Sequence, residues 1–151
     1  MTAIVYCHKT KQIALDSRVT SGGAIKTDSF DKTIRKEDGS LWFMSGDVSE
    51  YENYSNLKHG DKANGDFECY AIIIKKGKAY SAISKGNNVL SICELKFNDY
   101  AGSGGYDALI ALDFGKTAKE AIEYAATKDC HTGGKVRVFN LDGEEVLWWF
   151  I

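Results

Sequence analysis

The chain has 151 residues, of which 44% are hydrophobic, and this size fits one domain with a real core, so we expect residues 1–151 to form a single domain. The formal net charge is −2 with lysine and arginine scattered along the chain, which argues against a nucleic-acid partner or a membrane surface. No apolar run approaches the roughly 20 residues of a membrane span, and the first residues lack a secretory signal pattern, so we expect a cytosolic protein.

The first half of the chain predicts short strands, one extended loop and little helix. Polar turns rich in Gly, Asp and Ser separate the apolar segments, and a Ser/Thr/Gly-rich stretch indicates a loop with functional surface. The predicted elements are strands at 2–6, 13–16, 30–36 and 41–44, an extended loop over 17–29, one short helix over 48–58 and a polar loop over 59–66.

The second half predicts an antiparallel meander, two helices and two final strands. Thr117 and Glu120 have the spacing of a capping box, which marks the start of the second helix. The predicted elements are strands at 67–75, 78–84 and 89–96, helices at 106–114 and 118–126, and strands at 136–140 and 145–151. Strands, then a helix pair, then strands favour an α+β protein, and we expect a four-layer αββα sandwich of two antiparallel sheets flanked by helices.

Four cysteines lie far apart and lack metal-binding spacing, which favours free thiols over disulfides or zinc. His8 and His131 each adjoin a cysteine, but adjacent residues on a strand point to opposite faces, which disfavours a direct Cys–His pair. We therefore expect no metal ion and no cofactor.

Thr2 is the first candidate catalytic residue. Removal of Met1 makes it the N-terminal residue, and the apolar run over 3–6 would fix it at the start of a strand. Its free α-amine would titrate at roughly 7.7–8.0 and take the proton of its own hydroxyl, so that nucleophile and base belong to one residue. The alternative is an ordinary chain start, since threonine follows the initiator in many proteins.

Several separated segments together resemble the N-terminal nucleophile hydrolases, in particular proteasome β subunits and the HslV peptidase. Thr2 matches the family's nucleophile, Asp16 its acid at the end of the second strand and Lys32 its essential lysine, with the interval of sixteen residues between the last two kept. Gly46, in Met-Ser-Gly-Asp, lies where the family places the glycine whose N–H faces the oxyanion.

Two later segments extend this resemblance. The run from Gly102 to Gly105 is similar to the family's Gly-Ser-Gly turn, with Ser103 as the candidate residue. The run from 128 to 134 is similar to the proteasomal Asp-x-x-Ser-Gly-Gly, with Asp129 kept and Thr132 in place of the serine. These groups could orient the α-amine by hydrogen bonds. Each segment taken alone has another interpretation, as a strand-end cap, a solvated lysine or an ordinary turn.

The resemblance implies a threonine-type endopeptidase that cleaves polypeptides through an acyl-enzyme on Thr2, assembles as a homo-oligomer and has an unfoldase as a candidate partner. The pocket for the residue before the scissile bond would be lined by Val19, Phe30, Met44 and Val48, which predicts a preference for apolar side chains. A small-molecule amidohydrolase and a non-catalytic binding or assembly protein of the same fold are the alternatives.

This chain departs from the family in two places. The interval from Thr2 to Asp16 is two residues shorter than usual, which a tighter first hairpin could absorb. Between Gly46 and Phe67 there is room for one short helix, where the family has two long ones.

Overall fold

A computed structural model describes residues 2–62, 69–85 and 87–147 of the chain. The strands in these ranges are β1 (Ile4–Cys7), β2 (Gln12–Leu15), β3 (Val19–Ser21), β4 (Ala24–Thr27), β5 (Thr33–Arg35), β6 (Leu41–Gly46), β7 (Cys69–Lys75), β8 (Lys78–Ser84), β9 (Leu90–Glu94), β10 (Asp99–Ala101) and β11 (Arg137–Asn140). The helices are α1 (Tyr51–Ser55), which follows a 3₁₀ turn at Val48–Glu50, α2 (Gly105–Asp113) and α3 (Ala118–Ala126).

Two antiparallel sheets form the centre of the molecule. The first has the strand order β10-β1-β2-β11, and the second has the order β5-β6-β7-β8-β9. Because side chains alternate along a strand, Ile4 and Tyr6 of β1 face the second sheet, while Val5 faces α2 and α3. Every strand of the first sheet is thus covered on one face by a sheet and on the other by helices.

Three apolar clusters hold the layers together. Small residues such as Ala108 and Ala121 let α2 and α3 lie close to the first sheet. Between the sheets, the rings of Phe43 and Phe139 meet edge to face with centroids 5.0 Å apart. Each fully buried aliphatic side chain in these clusters, Ile4 for example, contributes about 1.5–3 kcal/mol. The four-layer αββα architecture is confirmed.

The outer layer over the second sheet is short. It consists of the 3₁₀ turn and the five-residue α1, as the limited length after Gly46 predicted. Tyr51 and Tyr54 of α1 pack against the outer face of the sheet, and the Tyr54 hydroxyl donates to the carbonyl oxygen of Ala82 at 3.0 Å. Since the longest described helices contain nine residues, none of the helices in the described ranges could span a bilayer.

The prediction of an extended loop over 17–29 was wrong, because β3 and β4 form a two-stranded hairpin there. Gly22 and Gly23 make its turn, with φ of 56° and 81°. The exposed β4 has no apolar alternation, so the hydrophobic pattern carries no strand signal. The short β10 was missed for a similar reason, since three residues contain too little pattern to predict a strand.

Some predicted boundaries also shift. Of the strand predicted over 30–36, only the residues Thr33–Arg35 form a strand. In the segment predicted as a strand over 145–151, Glu145 forms an isolated bridge with Phe139, and residues 146–147 are not in a strand. Residues 148–151, and residues 63–68 from the predicted loop and the next strand, lie outside the described residues.

Candidate active site

Three side chains from separate segments meet at the hydroxyl of Thr2. Thr2 lies two residues before β1, and its hydroxyl donates to Asp16 Oδ1 and accepts a hydrogen bond from Lys32 Nζ. Lys32 Nζ also lies 2.8 Å from Asp16 Oδ1. All three residues are at most 1% exposed, so this is a buried ion pair closed around a hydroxyl.

Asp16 is placed beside Thr2 by the β1–β2 hairpin. Ile4 pairs with Leu15, so the residue after β2 lies next to the start of β1. Asp16 Oδ1 accepts the N–H of Ala3 at 3.2 Å, and Oδ2 accepts the N–H of Gly133 at 2.9 Å. These donors and the Lys32 ammonium compensate the carboxylate for the water that it loses on burial.

Lys32 is the cationic member of the group. Burial lowers the pKa of Lys32 below its ordinary value, and the nearby Asp16 carboxylate opposes this by favouring the ammonium form. A cation in this position would in turn favour the neutral form of an α-amine at residue 2.

A second polar group surrounds Asp129, which follows α3. Asp129 Oδ2 accepts hydrogen bonds from Ser103 Oγ at 2.7 Å and from Thr132 Oγ1 at 2.8 Å, while Oδ1 accepts the N–H of His131 at 3.2 Å. Burial acts to raise the pKa of Asp129, but these hydrogen bonds outweigh it and hold that pKa below its usual range.

Glycines join the two groups into one site. The N–H of Gly104 donates to the Thr2 carbonyl oxygen at 3.1 Å. A Cβ on Gly102, whose φ is +89°, would lie 2.1 Å from that carbonyl oxygen, and a Cβ on Gly104 would lie 2.3 Å from Thr132 Oγ1. The turn before α2 can therefore contact both Thr2 and the Asp129 group only because it lacks side chains at these positions.

A cavity of about 940 Å³ opens beside this site, and Lys32, Gly46 and Ser103 are among the residues that line it. Gly46 ends β6 with a φ of +106°, a conformation that only glycine adopts without strain. The structure thus brings the predicted residues Thr2, Asp16 and Lys32 into direct contact and places Gly46 on the adjoining cavity wall.

Comparisons with known proteins identify the fold. No protein-family model matches the sequence, and no curated protein matches it. Among solved structures, HslV from Trypanosoma brucei is similar with a TM-score of 0.71 and 18% identity, over 91% of this chain and 98% of that one. The bacterial proteasome homologue BPH from Thiobacillus denitrificans is similar with a TM-score of 0.66 and 16% identity, over 91% of this chain and 96% of that one. BPH in complex with epoxomicin gives a TM-score of 0.67 and 15% identity, over 91% and 97%. The chain has the N-terminal nucleophile hydrolase fold.

Within this Ntn-hydrolase fold, only two of the four predicted pocket residues line the cavity. Val19 and Val48 do so, whereas Met44 is fully buried and Phe30 half-buried in the cluster beneath α1. The reason is the strand period of two. Trp42 and Met44 of β6 face α1, so the next residue, Ser45, is the one that borders the cavity.

Ser45 and Tyr51 are among the cavity residues that sequence reasoning missed. Their hydroxyl groups are buried and have no hydrogen-bond partner within the described residues. Burial raises the pKa of Tyr51, so its hydroxyl stays protonated and remains a hydrogen-bond donor. Alternation along β6 could have revealed Ser45, but the weak periodicity after Val48 contained no signal for Tyr51.

The argument against a direct Cys–His pair assumed a strand, and this assumption was wrong for Cys130 and His131, which lie in a turn. A ligand atom of each, together with a carboxylate oxygen of Asp129, lies within 4.8 Å of the others. This turn adjoins the candidate site, since Asp129 also accepts hydrogen bonds from Ser103 and Thr132.

Proposed function

We propose that this chain is a threonine-type endopeptidase, active after removal of Met1. One observation carries the proposal, namely that the Thr2 hydroxyl contacts both the Asp16 carboxylate and Lys32 Nζ at the start of β1 in an Ntn-hydrolase fold. Burying a carboxylate and an ammonium around a hydroxyl costs desolvation free energy, and a role in nucleophilic catalysis explains why the protein keeps this arrangement.

In the proposed reaction, the free α-amine of Thr2 takes the proton of the hydroxyl as Oγ1 attacks the carbonyl carbon of the scissile bond. The tetrahedral oxyanion would be stabilised by the backbone N–H of Gly46, a term of about 3 kcal/mol. The protonated α-amine then gives its proton to the leaving amine, which leaves an ester on Thr2. A water molecule, deprotonated by the same amine, hydrolyses that ester and restores the hydroxyl.

The other side chains have supporting roles in this proposal. Lys32 keeps the α-amine largely unprotonated, and Asp16 keeps Lys32 charged and oriented. The oxygens of Asp16 also accept the N–H groups of Ala3 and Gly133, which hold the carboxylate beside Lys32. Asp129, with Ser103 and Thr132, would hold the α-amine in position for the proton transfers.

Intact-mass measurement tests the nucleophile directly. The protein as isolated should lack the mass of Met1, and a threonine-directed covalent inhibitor should add one inhibitor mass. Epoxomicin is the compound to use, because BPH from T. denitrificans is described in complex with it. Thr2→Ala is the matched control, since methionine is also removed before alanine and the amine is kept. Retention of Met1, or equal labelling of Thr2→Ala, would refute the proposal.

We further propose that the cavity receives the side chain before the scissile bond and prefers apolar groups. Val19 and Val48 provide apolar walls, and burying a leucine-sized group is worth about 1.5–3 kcal/mol, or about ten- to a hundredfold in relative rate. The test is kcat/KM for peptide amides that differ only at this position, with leucine, tyrosine, glutamine, glutamate and lysine. Because Ser45 and Tyr51 also line the cavity, a preference for glutamine over leucine would overturn the apolar assignment.

Homo-oligomer formation is part of the proposal. The outer face of α2 and its C-terminal cap expose Tyr106, Ile110 and Phe114 at a spacing of four residues, and Phe114 is 83% exposed. An apolar helical stripe of this kind suits contact with a second copy of the chain. An unfoldase partner stays an expectation from the family resemblance, and a cytosolic location stays an expectation from the sequence pattern.

A further inference from the structure

Three consecutive residues after α3 present three kinds of metal ligand in one turn. An Asp129 carboxylate oxygen, Cys130 Sγ and a ring nitrogen of His131 all lie within 4.8 Å of one another. Cys130 is a free and exposed thiol, and the other two residues are half-buried. No other group of three such ligands occurs in the part of the chain that the structure describes.

The turn is held in place by contacts that do not use the thiol. Thr20 Oγ1 lies 2.9 Å from His131 Nδ1, which orients the imidazole ring. Arg18 donates to the Cys130 carbonyl oxygen at 3.1 Å and fixes the backbone between the other two ligands. The positive charge of Arg18 is paired with Asp28 at 2.8 Å, which reduces its repulsion of a bound cation.

This set of oxygen, sulfur and nitrogen ligands fits zinc. Zn²⁺ binds such atoms tetrahedrally at about 2.0–2.3 Å, which places the ligands about 3.3–3.7 Å apart. Rotation of the exposed Cys130 side chain about its χ1 bond can close the remaining gap of roughly 1 Å. A thiolate and an imidazole select Zn²⁺ over Mg²⁺ and Ca²⁺, and three protein ligands leave a fourth position for water.

We propose that Asp129, Cys130 and His131 bind a zinc ion that inhibits the active site. Asp129 Oδ2 accepts hydrogen bonds from the hydroxyls of Ser103 and Thr132. A cation that coordinates the Asp129 carboxylate draws the carboxylate away from these two hydroxyls. Gly133, the residue after Thr132, donates to Asp16, so a shift of the turn also reaches the Thr2 group. The inhibitory part of this inference rests on the proposed peptidase function, whereas the binding part does not.

Co²⁺ is the spectroscopic probe for the site, because a thiolate–Co²⁺ bond absorbs strongly and the visible bands report tetrahedral geometry. Protein with Met1 removed is titrated with Co²⁺, and Zn²⁺ is then added to displace it. Wild type should bind one Co²⁺ per chain with thiolate absorption. Cys130→Ser should lose that absorption, and His131→Gln should weaken binding. Cys93→Ser is the matched control, because Cys93 is the other exposed free thiol, on β9.

Peptidase assays on the same proteins test the inhibition. Zn²⁺ should reduce turnover of wild type and of Cys93→Ser by about a hundredfold, the loss that displacing a positioning group by about 1 Å can cause. A chelator should restore the turnover. Cys130→Ser should keep its basal kcat/KM and resist Zn²⁺. Absence of stoichiometric binding by wild type, equal absorption in Cys130→Ser, or binding without inhibition would overturn the inference. A protein that binds Co²⁺ through Cys130 but has no peptidase activity would support the site and refute the proposed function.

Discussion

Replacing Lys32 with methionine tests whether the buried ion pair both stabilises the fold and activates Thr2. Methionine has a similar length and fills the same space, so the main change is the loss of the charge beside Asp16. The side chains of Lys32 and Asp16 are 1% and 0% exposed, and removal of one partner of such a pair costs about 3–5 kcal/mol. Because Asp16 keeps the N–H donors of Ala3 and Gly133, we expect a value near the lower end, about 3 kcal/mol.

Urea unfolding at pH 7 measures this cost. With an m-value of about 2 kcal/mol per molar urea, a loss of about 3 kcal/mol lowers the midpoint by about 1.5 M. The Lys32→Met variant should also lose turnover while still lacking Met1 by intact mass. The double variant Lys32→Met/Asp16→Asn should recover part of the stability, because the unpaired charge is then gone.

Lys75→Met is the matched control for this experiment. Lys75 lies 3.2 Å from Asp38, but the two side chains are 41% and 54% exposed, so the change should cost less than about 1 kcal/mol. If Lys32→Met is no less stable than Lys75→Met and still cleaves peptides, the buried pair has neither role and the mechanism is wrong.

Three further predictions concern the pH profile, the Gly102 turn and the assembly of the chain. With rising pH, kcat/KM should first increase as the α-amine of Thr2 loses its proton, at a pKa below the usual value of roughly 7.7–8.0. It should decrease again on the alkaline side as Lys32 loses its proton, because burial lowers the pKa of Lys32. A flat profile would contradict this. Gly102→Ala should destabilise the fold by more than about 2 kcal/mol and abolish turnover, since its Cβ would lie 2.1 Å from the Thr2 carbonyl oxygen. Gly115→Ala, at a similar φ but with nothing within 4 Å of the added Cβ, should cost only about 1 kcal/mol. Equal midpoints of urea unfolding for the two variants would refute the contact argument. Phe114→Ser should lower the mass found by light scattering, Ile25→Ser on the exposed β4 should not, and an unchanged mass for Phe114→Ser would exclude α2 from the interface.

Features set by local chemistry could be predicted from the sequence. The capping box of α3 is present as predicted, with Thr117 Oγ1 accepting the Glu120 N–H at 3.2 Å and Glu120 Oε1 accepting the Thr117 N–H at 3.0 Å. The contact of Asp16 and Lys32 at Thr2 was predicted from the family resemblance, and both positions lie next to strand segments that the structure pairs.

Features set by tertiary contacts could not be predicted in this way. Whether Met44 or Ser45 borders the cavity depends on which face of β6 the short α1 covers, and the sequence around α1 is too irregular to show this. The Cys130–His131 turn was misjudged because its geometry comes from Arg18 and Thr20, more than a hundred residues earlier in the chain. The β3–β4 hairpin has no buried face, so it leaves no hydrophobic pattern.

Both departures from the family pattern lie at a distance from the chemistry. The β1–β2 hairpin closes with Cys7 opposite Gln12, and its turn includes Lys11 at a φ of +56°. At the other end of the hairpin, the Asp16 N–H still donates to the Ala3 carbonyl oxygen at 3.3 Å, which keeps the carboxylate beside Thr2. The shortened segment after Gly46 likewise removes helix from the outer layer, while Gly46 itself stays paired with Cys69 on the cavity wall. The short outer layer thus leaves the Thr2, Asp16 and Lys32 contacts intact.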